Sequence, residues 1–161
     1  MLPTRKEPYA LAKDEGPALW SVGLLVRLKA TGEQTGGAFV LTDEVCPPGY
    51  ATFLHVHHLE DEAFYVLEGN FTIFCGDKRV ESGPGTFVYG PRDVPHGFRV
   101  EGPDPARLLI WSTPSGVEHA LTELGEPVTA LNVPTVTPSE QEVEFVFPAR
   151  YQIEVLGPLP E

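Results

Sequence analysis

Short runs of β-forming residues, each closed by a turn signal, constrain this chain more than any other feature. Residues 21–29 read as a first strand. The turn Thr31-Gly32-Glu33-Gln34-Thr35-Gly36-Gly37 leads into a second over 38–45, which Pro47-Pro48-Gly49 ends. Strand signals recur over 51–57, 62–68, 71–76, 86–89, 96–100 and 106–113. Between them stand breaks such as Gly69-Asn70, Gly83-Pro84-Gly85 and Gly102-Pro103-Asp104-Pro105. With 16 glycines and 17 prolines, the chain has little room for long helices. Many short strands at close spacing predict an all-β sandwich or barrel.

The two ends read differently. Residues 1–20 are proline-rich and weakly patterned, and read as an N-terminal arm. Ser115-Gly116-Val117-Glu118 is a capping-box pattern. Leu121 and Leu124 follow Val117 at helical spacing, and Gly125 is a good stop. Thr137-Pro138-Ser139-Glu140 repeats the start signal. The expected organisation is one domain: an arm over 1–20, a barrel over 21–114 and a helical extension over 115–161 packed on the barrel.

A chain of 161 residues buries a real core. Its net charge of −12, with no lysine or arginine block, disfavours a phosphate-backbone partner, so no nucleic acid is expected. Two cysteines, Cys46 and Cys75, are too few for a disulfide scaffold and read as reduced core residues. No apolar run has the length of a leader or a membrane span, so no membrane partner and a cytoplasmic location are the expectation.

Four residues carry the chemistry. Side chains alternate along a strand, so His55 and His57 share a face and His58 takes the other. A four-residue link, 58–61, is long enough for a hairpin that returns Glu62 beside them. His96 follows a stiff turn, Pro91-Arg92-Asp93-Val94-Pro95. Three neutral imidazoles and one carboxylate suit a first-row transition metal. Phe53, Phe64 and Phe98 share the parity of the ligands and are candidate pocket walls. Trp111 joins them as an aromatic residue of a late strand. Tyr65 has the opposite parity. Glu60 and Asp61 read as turn residues, and His119 as a solvated helix residue.

These residues resemble the cupin family. Its first motif is Gly, five residues, His-x-His, three or four residues, Glu, six residues, Gly. Gly49, His55, His57, Glu62 and Gly69 match every element. In the second motif Gly85, Pro91 and His96 match, while Asp93 stands in place of a glycine and Val100 in place of an asparagine. The stretch Glu60-Asp61-Glu62-Ala63-Phe64-Tyr65-Val66-Leu67-Glu68-Gly69 and the terminal Gly157-Pro158 are similar to the single-domain, quercetin 2,3-dioxygenase-like cupins.

The resemblance implies a double-stranded β-helix, or jelly-roll barrel, here with short C-terminal helices. Its metal ligands would be His55, His57, Glu62 and His96 at the barrel mouth. It implies one divalent transition metal, among Fe, Mn, Ni, Co, Cu and Zn, and a homodimer. It also implies a dioxygenase that uses O2 to cleave an enol-bearing or polyphenolic compound, with Glu62 as the base. Apolar inward neighbours favour an aromatic or apolar small molecule over a sugar. Two alternatives stay open: a non-catalytic binding or sensing module, and an isomerase or lyase that uses no O2.

Overall fold

The computed structural model describes residues 6–129 and 147–161. The start signal at Thr137-Pro138-Ser139-Glu140 lies outside them. Twelve strands form among the described residues. In chain order they are β1 (Ala18–Ser21), β2 (Leu24–Ala30), β3 (Val40–Cys46), β4 (Leu54–His57), β5 (Asp61–Glu68) and β6 (Asn70–Cys75). They continue as β7 (Lys78–Ser82), β8 (Phe87–Gly90), β9 (His96–Glu101), β10 (Ala106–Thr113), β11 (Glu126–Pro127) and β12 (Ile153–Gly157). Two α-helices, the single turn α1 (Gly32–Thr35) and α2 (Val117–Leu124), and a 3-10 turn over Ala149–Tyr151 accompany them. No described helix is long and apolar enough to cross a membrane.

Seven strands form one sheet in the order β11-β1-β2-β3-β10-β5-β8, and five form the other in the order β12-β4-β9-β6-β7. Every pairing is antiparallel. The all-β jelly roll expected from the sequence is therefore the fold. The inner faces carry the alternating apolar residues of the strands. Val26, Val40, Phe64, Val66, Ile73 and Leu108 are all essentially solvent-free. Each such side chain contributes roughly 1.5–3 kcal/mol of burial.

The first expected strand is a hairpin. Val22 (φ 50°) and Gly23 (φ 78°) form a two-residue turn between β1 and β2. Valine is a β-former rarely found at positive φ, so nothing local announced the turn. Strand β1 also begins at Ala18, inside the expected arm. Strand β7 was absent from the sequence reading because Lys78, Arg79 and Glu81 hide its alternation.

The C-terminal extension departs most from expectation. Helix α2 forms where the spacing predicts it, and buries Val117, Ala120 and Leu121. Among the described residues after it, a single 3-10 turn over Ala149–Tyr151 leads into a strand. Strand β12 pairs with β4, placing Val155 opposite His55 and Ile153 opposite His57. Its five residues alternate too briefly to be read against the noise of a chain end.

Candidate metal centre

The four expected ligands arrive from three strands on two sheets. His55 and His96 are direct cross-strand partners on β4 and β9. His57 lies two residues along the same face of β4. Glu62 faces them from β5, in the opposite sheet. The link over 58–61 is thus a crossover between sheets and not the hairpin expected. The turn before His96 makes a second crossover. Asp93 takes φ 66° there, the left-handed conformation a glycine would adopt, and its backbone N–H donates to the His57 carbonyl at 2.9 Å.

The histidines are oriented from behind. Each has its Nδ1 tied: His55 to the Phe53 carbonyl (2.7 Å), His96 to the Val94 carbonyl (3.0 Å) and His57 to Glu60 Oε2 (3.2 Å). A carbonyl or carboxylate partner fixes the proton on Nδ1 and leaves Nε2 as the lone-pair donor. His96 Nε2 lies 3.0 Å from Glu62 Oε2, and His57 Nε2 lies 3.7 Å from Glu62 Oε1. One ligand atom from each of the four residues lies within 4.8 Å of all the others. Ser112 Oγ donates to Glu62 Oε1 at 3.1 Å and fixes the carboxylate. Three pre-oriented imidazole nitrogens and a carboxylate fit a divalent transition metal. The cluster could hold one such ion.

Electrostatics agree with that donor set. Burial, with His96 and His57 close by, lowers the His55 pKa to about 3, so its ring is neutral at ordinary pH. Burial acts against the charged form of His57, but Glu62 and Glu60 outweigh it and raise the pKa. Burial also acts against ionised Glu62. The surrounding imidazoles of His57, His96 and His55 overcome it and hold the carboxyl well below the usual range. Glu62 is therefore a carboxylate, ready to accept a proton or a cation.

A cavity of about 250 Å³ opens from this cluster into the barrel. Phe53, Phe64 and Phe98 line it. Phe64 and Phe98 are also core residues, with ring centroids 6.3 Å apart. Trp111 does not line it. Inward-facing Ile110 and Ser112 flank Trp111, so parity sends its ring outward, where it is 51% exposed and packs on Phe39. Tyr65 points outward as its parity predicts. His58 lies at the surface between Asp93 (2.6 Å) and Glu154 (3.0 Å), away from the cluster. His119 is exposed on α2, and Cys46 and Cys75 are buried and unpaired.

Several site residues were not legible in the sequence. Glu60 lies in the link between β4 and β5, yet it is 4% exposed and holds His57. Ile153 and Val155 of β12 form part of the cavity wall. Ser112, Thr42 and Glu44 line the interior from β10 and β3. For the last three a signal existed: they are polar residues at the inward parity of apolar strands.

Comparison with known proteins follows the same lines. A model of the cupin domain matches residues 43–112. Quercetin 2,3-dioxygenase of Bacillus subtilis is 31% identical over 126 residues, 78% of this chain. The match spans only 37% of that longer protein. An uncharacterized protein of Methanocaldococcus jannaschii is 31% identical over 86 residues, covering 53% of this chain and 68% of its own. Among solved structures, the polyketide cyclase RemF of Streptomyces resistomycificus superposes with a TM-score of 0.58. It is 26% identical over 68% of this chain and 81% of its own. KdgF from Halomonas sp. superposes with a TM-score of 0.60 at 16% identity, over 70% of this chain and 99% of its own, a likeness of fold alone.

Proposed function

This chain belongs to the cupin superfamily, and from that premise we propose that it is a metal-dependent dioxygenase acting on an enol-bearing or polyphenolic compound. One observation carries the reading: three imidazoles with Nδ1 tied back, and one ionised carboxylate, converge at the wall of an aromatic-lined cavity. The likeness to a quercetin dioxygenase supports the class of substrate.

The chain's own residues account for binding and the proton. A flat aromatic ligand in the cavity would lie against the wall that Phe53, Phe64 and Phe98 form. Its hydroxyl meets Glu62, which takes the proton and leaves an oxyanion beside the three Nε2 atoms. A carboxyl held so far below its usual range is a weak base. It therefore suits an acidic enol or phenol better than an alkyl alcohol. Ser112 holds Glu62 in place through the transfer. A divalent transition metal bound by His55, His57, His96 and Glu62 would supply Lewis acidity for the oxyanion and redox chemistry for O2.

A second reading uses the same cavity without O2. The 26% likeness to a polyketide cyclase supports an isomerase or lyase reaction that uses no O2. Oxygen-electrode measurements on protein reconstituted separately with Fe, Mn, Ni, Co, Cu and Zn, offered quercetin and 3-hydroxyflavone, separate the two. Uptake of O2 matched to loss of flavonol is the expected result. Product without O2 uptake supports the second reading. Tight flavonol binding with no product under any metal would leave a binding module and end the dioxygenase reading.

A further inference from the structure

Glu44 and Asp43 are consecutive acids of β3, both buried, at 5% and 3% exposure. Asp43 points outward and is answered by a bidentate Arg107. Glu44 points inward and has no cationic partner among the described residues. Among the described residues its one side-chain hydrogen bond is with Thr42, whose Oγ1 donates to Oε1 at 3.0 Å and also approaches the Ile110 carbonyl at 3.4 Å. Oε2 has no partner. No sealed side-chain oxygen of the described residues lacks one, so Oε2 opens on the cavity that Glu44 lines.

The register locates this group. Across β3, β10 and β5 the inward rows read Val40–Ser112–Glu62, Thr42–Ile110–Phe64 and Glu44–Leu108–Val66. Glu44 is therefore two rows and two strands from Glu62 along the same wall. Its row neighbours are Leu108 and Val66, both solvent-free. A leucine would satisfy packing there without the cost of taking a carboxyl out of water. The nearby Tyr50 hydroxyl is already committed to the Val22 carbonyl at 2.7 Å.

We propose that Glu44, set by Thr42, forms a second polar subsite of the cavity, which recognises a hydroxyl or carbonyl oxygen on the part of the ligand away from the histidine cluster. The inference rests on the cavity being the ligand site. Burial, with Glu62 and Asp43 adding to it against the opposing Thr42 hydrogen bond, pushes the Glu44 pKa up to about 8. At neutral pH the group is thus a carboxylic acid, able to donate as well as accept. A neutral acid answers a neutral oxygen and has no need of an amine. The fitting ligand is elongated, chelating at one end and hydroxylated at the other.

Zinc-loaded protein, which binds without consuming O2, tests this with two probes read by flavonol absorbance. Quercetin carries hydroxyls on its outer rings, and 3-hydroxyflavone carries only the chelating end. Wild type should favour quercetin by about tenfold or more. Glu44→Leu should lose that preference, and Glu44→Gln, which can still donate and accept, should keep most of it. The protonated carboxyl band in the infrared, absent from Glu44→Gln, should shift when quercetin binds. An unchanged preference in Glu44→Leu, or an unmoved band where that variant does not fold, overturns the subsite. If wild type binds neither flavonol, the subsite and the polyphenol reading fall together. If Glu44-dependent binding stands but redox-metal protein takes up no O2, only the dioxygenase reading falls.

Discussion

Glu62 and Glu44 point into one cavity from one sheet, yet the fold gives them opposite charge states. Both are buried, and burial alone favours the neutral acid in each case. Around Glu62 the imidazoles of His57, His96 and His55 outweigh that cost, and the group stays ionised. Around Glu44 only Thr42 opposes it, while Glu62 and Asp43 add repulsion, and the group stays protonated. Two like side chains thus acquire a proton acceptor's role and a hydrogen-bond donor's role from their neighbours alone. One part of the cavity thus carries a buried carboxylate and another a buried neutral acid.

Four substitutions break or sharpen that contrast. The largest effect is expected from His96→Ala, which removes a donor from the centre of the cluster. Metal retention through dialysis, read by elemental analysis, should fall by more than about 100-fold, beyond what supporting residues cause. Next, Glu62→Gln keeps the shape but cannot take a proton. Flavonol turnover at saturating metal should drop by about 100-fold or more, and undiminished turnover would remove Glu62 as the base. Glu60→Ala acts one step back by freeing the His57 ring. It should weaken metal affinity by about tenfold while turnover recovers at high metal, with Glu60→Gln restoring part of the loss.

The smallest change at the metal end comes from Glu44→Gln, whose signature is in stability against pH. Below the ordinary value of 4.5 Glu44 is protonated in both folded and unfolded chains. Between 4.5 and about 8 the folded protein keeps a proton that the unfolded chain has lost. The stability that this proton confers is full below 4.5 and is lost as pH rises to about 8. The titratable groups that interact with Glu44 among the described residues are Glu62, Asp43, Tyr50 and Cys46, and none is a cation. Urea unfolding of metal-stripped wild type and Glu44→Gln at pH 5 and 8.5 should show the variant gaining on wild type by on the order of 3 kcal/mol across that window. Parallel profiles would show Glu44 ionised like any surface acid.

Much of the fold and all four metal-cluster residues were legible because their signals are local. Alternation placed His55 and His57 on one face, and turn residues bounded most strands. Misreadings arose where locality failed. Val22 makes a turn that only the β1–β2 pairing imposes. Trp111 carried an aromatic ring but the wrong parity, which Ile110 and Ser112 reveal once their direction is known. Glu60 sits in a turn by sequence and behind a histidine in space.

By itself the sequence determined the class of fold, the parity of each strand and the identity of the four residues that gather as a cluster. Those follow from backbone period and side-chain chemistry, which each residue carries wherever it goes. Tertiary structure decided which sheet each ligand comes from, that β12 walls the cavity beside β4, and which buried carboxyl is charged. Those depend on groups far apart in the chain brought within a few ångströms in a low-dielectric interior, where one neighbour is enough to reverse a proton's preference.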